Sequence, residues 1–298
     1  MTWTAWRLAR PAAMGSALLL VVLAAFLVVT AAHLQDAFGS TGLGACLAVA
    51  GSRSGCTDQA SAFYDVMNTL LGGKPVVTYI TLVPGLLGAF VGGSLLAREL
   101  ETGTVRLAWT QSVTATRWLA SRALVAGAVL IAATVGLTVF TTYWRRSVDA
   151  VDGRFNPNGY NIEGIVPVGY ALLAFAAGIL AGALWRRTSA AIAVAVGVYV
   201  VVRVVIETQL RPHFLPPVRL AYGANPPATL PSGTAGDWVL EQHMPRPGAD
   251  LSRYPFVVIY QPASRFWQFQ AIEFGIVTAL AVVFLVLAFT WVRRRRIA

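Results

Sequence analysis

The chain has 298 residues, of which 56% are hydrophobic and only 12% are charged; its mean hydropathy is +0.64 and its net charge is +10. Soluble domains carry roughly 25% charged residues, so this composition excludes an ordinary soluble fold, which could not hide so much apolar surface. Two cysteines are too few for a disulfide framework, and without a Cys-x-x-Cys pair or a histidine cluster a zinc site is not expected.

Six apolar runs are long enough to cross a membrane, because a helix needs about 20 apolar residues to span the bilayer core. Irregular backbone cannot face lipid, so each run is predicted to be a helix. The first run is longer than a signal-peptide core, and we expect it to be retained. The chain is therefore predicted to be an all-α integral membrane protein, a single transmembrane domain over 1–298. Spans are predicted at about 12–32, 75–97, 123–144, 165–185, 188–207 and 270–292, with outer loops at 33–74, 145–163 and 208–268.

The positive charge gathers at one set of helix ends. With both termini in the cytoplasm, the inner segments contain twelve arginines and two glutamates, so the whole net charge of +10 lies on that face. The positive-inside rule then predicts a multi-pass protein of the cell membrane with cytoplasmic N- and C-termini. The arginines at 293–296 follow a span and predict contact with anionic lipid headgroups rather than nucleic acid.

Residues 98–122 form a polar, arginine-rich segment between the second and third spans, which we call the inner segment. Gly103 can end or bend a helix, and Thr104 can cap a new one. Ser112 or Thr114 can cap the third span. The pattern predicts a short helix on the inner surface; the alternative, a plain connector, would need fewer residues.

The inner segment also resembles a known family. Glu99 with Gly103 and Thr104, followed by the Thr-Gln-Ser-Val of 110–113 and the Arg-Trp-Leu of 117–119, is similar to the inner loop of ABC-2-type transporter permeases, most closely the actinobacterial branch. Residues 3–7 and 261–273 are similar to that branch too, and six spans with both termini inside match its architecture. Ala115 departs from the pattern, because many relatives have a basic residue there.

The resemblance implies a permease that forms a dimer, with itself or a paralogue, and pairs with two cytoplasmic ATPase subunits that hold ATP and Mg²⁺. In such permeases the loop after the second span forms a coupling helix seated in a groove of the ATPase. Here that role would fall on Glu99, Glu101, Gly103, Thr104, Arg106, Gln111 and Ser112. We expect no cofactor and no catalytic site in this chain, since its one lysine, Lys74, lacks the Gly-x-x-x-x-Gly-Lys-Ser/Thr context of a phosphate loop.

Three ionisable residues lie near the outer ends of spans. Arg203 and Glu207 are four residues apart and share a helix face, and Glu273 opens the sixth span. A charged group within a membrane is a functional hypothesis by default. We favour a structural ion pair whose side chains reach the outer boundary over an outer gate or cargo contact.

The outer loops carry further expectations. Cys46 and Cys56 can form a disulfide outside the cell, although nearness in sequence does not guarantee the geometry. The Asp-, Asn- and Gly-rich stretch 145–163 is predicted to be a solvated turn, because its acidic spacing does not fit a calcium loop. The large loop 208–268 is predicted to contain short helices, at 237–244 and just before the sixth span.

The sequence thus predicts the membrane-spanning permease subunit of an ATP-driven exporter, energised by separate ATPase subunits through residues 98–117. The direction of transport comes from the resemblance. The alternative is a non-transport membrane sensor or assembly factor that binds a partner through the long outer loop. A membrane-embedded enzyme would need catalytic residues that the sequence does not show. The spans contain few polar groups that would specify a cargo.

Overall fold

The computed structural model describes residues 2–50, 55–71, 76–102, 114–222, 236–243 and 256–294. Within these ranges, six helices are long and apolar enough to cross a membrane, which confirms the all-α class of the spanning part. They are α1 (Thr2–Ser40), α4 (Val76–Thr102), α5 (Ala115–Asp152), α7 (Val166–Trp185), α8 (Thr188–Val205) and α9 (Phe266–Arg294). Shorter helices connect them: α2 (Leu43–Ala50), α3 (Thr57–Leu71) and α6 (Pro157–Tyr160). We call the bundle end where α4 finishes the inner end and the opposite end the outer end.

Helix α7 lies at the centre of the bundle. It packs against α4, α5, α8 and α9, and most of its residues are buried, as expected for a helix that is apolar on every side. Glycines let α4 approach it closely: a Cβ on Gly92 would lie 2.1 Å from the carbonyl oxygen of Phe175, and one on Gly88 would lie 2.2 Å from that of Ala171. Backbone contact of this kind is typical of small residues between membrane helices.

Helix α1 packs on α5, and α2 and α3 cover the outer end of this pair. A disulfide joins Cys46 of α2 to Cys56, directly before α3. The Tyr64 hydroxyl of α3 donates a 2.6 Å hydrogen bond to Asp152 at the end of α5. The predicted outer loop 33–74 is therefore largely helical in its described part, and it is tied to the third span.

A three-stranded antiparallel sheet lies in the outer segment between α8 and α9. Its strands are β1 (Val218–Tyr222), β2 (Trp238–His243) and β3 (Phe256–Gln261), in the order β1-β3-β2. The expected helix at 237–244 is wrong over its described part, which forms β2. The physical reason is that β3 is rich in Val, Ile and aromatic residues and supplies hydrogen-bond partners to β2 that are distant in sequence. The short helix expected before the sixth span is a 3₁₀ turn, Ala263–Arg265, that leads directly into α9.

The stretch 145–163 also differs from expectation. Helix α5 continues to Asp152 and ends at Gly153, whose φ of 71° requires a left-handed conformation that glycine adopts easily. Asn156 then caps α6 by accepting a hydrogen bond from the Gly159 N–H. Arg145 is only 3% exposed and Glu163 is fully buried. This stretch is a folded, largely buried connection rather than a solvated turn, because its charged residues find partners inside the protein.

Candidate functional site

The base of the inner segment is fixed by two contacts made by the last turn of α4. Glu99 forms a salt bridge with Arg122 of α5, and the Arg122 guanidinium lies 4.8 Å from the centre of the Trp118 ring. Glu101 accepts hydrogen bonds from the backbone N–H and the hydroxyl of Thr188, at 3.1 and 2.8 Å. Since a carboxylate at a helix N-terminus satisfies unpaired N–H groups, Glu101 caps α8. The two carboxylates thus join α4 to α5 and to α8.

The other predicted coupling residues, Gly103, Thr104, Arg106, Gln111 and Ser112, lie outside the described residues. The structure resumes at Thr114, whose hydroxyl accepts a 3.4 Å contact from the Arg117 N–H at the start of α5. Of the two caps considered for the third span, Thr114 is therefore the one that the structure describes.

At the outer end, Glu273 of α9 is fully buried and accepts four hydrogen bonds. Arg211, in the 3₁₀ turn Arg211–His213, donates from Nε and Nη2 at 2.9 and 2.8 Å. The hydroxyls of Tyr160 and Tyr170 donate at 3.0 and 2.9 Å. Burial, and then the charge of Glu273, raise the pKa of Tyr160, so its phenol stays protonated and remains a donor.

Glu207 links Arg211 to Arg203 and lies in a π-helical segment, Ile206–Leu210, that directly follows α8. Its carboxylate accepts a 3.0 Å hydrogen bond from Asn161 and lies 3.8 Å from Arg203 and 3.9 Å from Arg211. The Arg203 guanidinium lies over the Tyr170 ring at 5.1 Å. We call the group Arg203, Glu207, Arg211 and Glu273, with Tyr160 and Tyr170, the outer ion cluster.

A second set of polar contacts lies beside this cluster. Gln270, one turn before Glu273, accepts hydrogen bonds from the backbone N–H groups of Ile165 and Val166 at 3.0 and 2.9 Å, and so caps α7. Glu163 is held by Arg145 at 3.1 Å and Arg154 at 2.8 Å. Within the described ranges, no grouping of His, Cys, Asp and Glu could hold a metal ion. The contacts of the outer ion cluster, Gln270 and Glu163 suit a structural role, in which they hold the ends of neighbouring helices together.

The structure therefore places the three predicted outer residues in one cluster. Arg211, which the sequence analysis did not predict, joins Glu273 to Glu207. Glu273 pairs with Arg211, not with Arg203, and Arg203 is 7% exposed. The favoured structural pairing is thus formed with partners inside the chain: Glu273 is fully buried, whereas the Glu207 side chain keeps 35% of its surface exposed. The signal for Arg211 was its position four residues after Glu207; Pro212 made the helix look finished at that point.

Six helices long and apolar enough to cross a membrane, with charges paired inside the bundle, define a multi-pass membrane protein. Residues 17–211 match the family described as ABC-2 membrane transporter related, so the chain belongs to that family. The match includes the inner segment and spans two to five, and it confirms the resemblance to ABC-2-type permeases. Permeases of this kind work with ABC ATPase subunits. Comparisons with curated protein sequences and with solved structures give no significant match.

Proposed function

We propose that the chain is the membrane permease subunit of an ATP-driven exporter, energised by separate cytoplasmic ATPases that contact residues 98–117. The observation that carries this proposal is the double anchor at the base of the inner segment. Glu99 holds Arg122 of α5, and Glu101 holds Thr188 at the start of α8. A force applied to residues 103–113 would reach three spans through these contacts.

The wider arrangement supports the same proposal. The net charge of +10 favours a protein of the cell membrane whose inner end and two termini face the cytoplasm. Two ATPase subunits would then serve a dimer of permeases, formed with a second copy or a paralogue. Because Glu99 and Glu101 make contacts within the chain, they transmit the movement, and residues 103–113 provide the contact with the ATPase.

Co-expression of the chain with an ABC ATPase, followed by affinity purification and an ATP hydrolysis assay, tests this function. We expect the ATPase to co-purify and its hydrolysis rate to change when the permease is present. Arg122→Glu should reduce this effect, and adding Glu99→Arg should partly restore it because the pair is re-formed with reversed charges. Failure of any ATPase to associate would contradict the proposal and favour a sensor or assembly factor. An ATPase that associates but responds equally to the wild type and to Arg122→Glu would contradict the role of the double anchor.

A further inference from the structure

Helix α4 contains a proline in its membrane-spanning part. Pro84 has no N–H, so the carbonyl of Ile80 loses its helical partner, and the ring disturbs that turn. Neighbouring helices compensate for such interruptions in membrane proteins. On the same turn, the Tyr199 hydroxyl of α8 donates a 2.7 Å hydrogen bond to the carbonyl of Thr81, the residue after Ile80.

The Tyr199 ring fits this turn closely. It is 1% exposed and packs on Gly85, where an added Cβ would lie 2.5 Å from the ring. A phenylalanine would fill the same space. The hydroxyl is therefore not needed to fill the space. It adds two contacts: the hydrogen bond to Thr81 and a contact with Arg203.

That second contact leads to the outer ion cluster. Arg203, one turn after Tyr199 on α8, has Nη1 3.5 Å from the Tyr199 oxygen. Its Nη2 is buried, and it finds no hydrogen-bond partner among the described residues. The Arg203 Nε atom lies 3.8 Å from the Glu207 carboxylate. Arg203 is thus the least tightly held member of the cluster, and a small shift of α8 can change its pairing at low cost in hydrogen bonds.

The inner end of α4 carries the double anchor. Glu99 lies 15 residues after Pro84, which is about 22 Å along a helix that rises 1.5 Å per residue. A change in the direction of α4 at Pro84 would therefore shift this end of the helix, together with the α7 backbone that Gly88 and Gly92 contact. Tyr199 lies between the Pro84 turn of α4 and the outer ion cluster.

We propose that Tyr199 is a positioning residue: its hydroxyl ties the proline-interrupted turn of α4 to the outer ion cluster, so that the two move together during transport. This proposal rests on the proposed function, because the movement begins at the ATPase. The link gives the outer end of the bundle a direct response to events at the inner segment. Removing the hydroxyl separates the two ends without emptying the space beside Gly85.

Two pairs of spin labels on the permease–ATPase complex in nanodiscs test this role. The inner pair is placed at the exposed residues Leu124 and Leu184, and the outer pair at Gln209 and Ser61, also exposed. Distances are measured with and without ATP and vanadate. The test variant is Tyr199→Phe, and the control is Tyr79→Phe on α4, where the side chain is 58% exposed.

We expect both distances to shift in the wild-type and Tyr79→Phe complexes, and Tyr199→Phe to keep the inner shift but lose the outer one. In a Pro84→Ala background, Tyr199→Phe should cause no additional loss, because α4 is then uninterrupted and no separate turn remains for the hydroxyl to tie to the cluster. An outer shift retained in Tyr199→Phe overturns the positioning role, as does an equal additional loss in the Pro84→Ala background. A wild-type inner pair that does not respond to ATP overturns the proposed function itself, and with it the role of Tyr199.

Discussion

Replacing Glu273 with glutamine tests how strongly the outer ion cluster stabilises the bundle. Glu273 is fully buried and Arg211 is 2% exposed, so the substitution leaves a buried guanidinium whose remaining carboxylate, that of Glu207, lies 3.9 Å away. Breaking one side of a buried pair costs about 3–5 kcal/mol. The glutamine amide also places a donor against other donors, because Arg211, Tyr160 and Tyr170 all donate to Glu273.

The cost should be visible in unfolding of the purified protein. At about 2–4 °C per kcal/mol for chains of 150–250 residues, the melting temperature of Glu273→Gln should fall by roughly 6–20 °C. The matched control is Glu241→Gln, because the Glu241 side chain is 57% exposed; we expect a change within about 0.5 kcal/mol. Thermal unfolding in mixed micelles, followed by circular dichroism, measures the melting temperatures of both variants.

A second variant separates the unpaired charge from the lost packing. Glu273→Gln combined with Arg211→Met removes both charges, and with them the uncompensated buried guanidinium that makes the single variant costly. The double variant should therefore be more stable than Glu273→Gln alone. A single variant that costs less than about 1 kcal/mol, or a double variant no better than the single, would refute the reasoning.

Three further tests, two by substitution and one by labelling, address the fold. Gly92→Ala should lower the free energy of unfolding by about 3 kcal/mol or more, because its Cβ would meet the Phe175 carbonyl. The control Gly197→Ala, where a Cβ meets nothing within 4 Å, should leave the unfolding midpoint unchanged or raised. Equal effects of the two variants would contradict the α4–α7 packing. Replacing Cys46 and Cys56 together by serine should lower stability by about 2–4 kcal/mol, measured by thermal unfolding, and no change would show that the bridge does not constrain the chain. After reduction of intact cells, a membrane-impermeant maleimide should label Cys46 from outside; labelling only after lysis would reverse the topology.

The sequence predicted the spans because each is a sufficiently long run that is almost entirely apolar, and this property is local. Their ends were less predictable. Helix α5 extends past Arg145 to Asp152 because Asp149 lies 2.9 Å from Arg145 and Asp152 accepts a hydrogen bond from Tyr64. Those partners lie one helical turn away or on another helix, so charged residues that looked like a loop continue the helix.

The sheet and most of the outer ion cluster could not be predicted for a related reason. Strand β2 pairs with β3, and β1 pairs with residues that follow it by tens of positions, so no local period reveals the pairing. The four-residue spacing of Arg203 and Glu207 did predict that they share a helix face. That Glu273 meets Arg211 and two tyrosines depends on the packing of α6, α7 and α9, which the sequence does not state.

Site-specific photo-crosslinking tests the central claim most directly. A photoreactive amino acid at Thr104 or Gln111 should form a covalent product with the ATPase subunit in membranes, and the same amino acid at Asp58, an exposed residue of α3, should not. Products at Thr104 and Gln111 that disappear when the ATPase is omitted are the result that the account predicts. No product at either position, or an equal product at Asp58, would contradict the claim that the inner segment receives the ATPase.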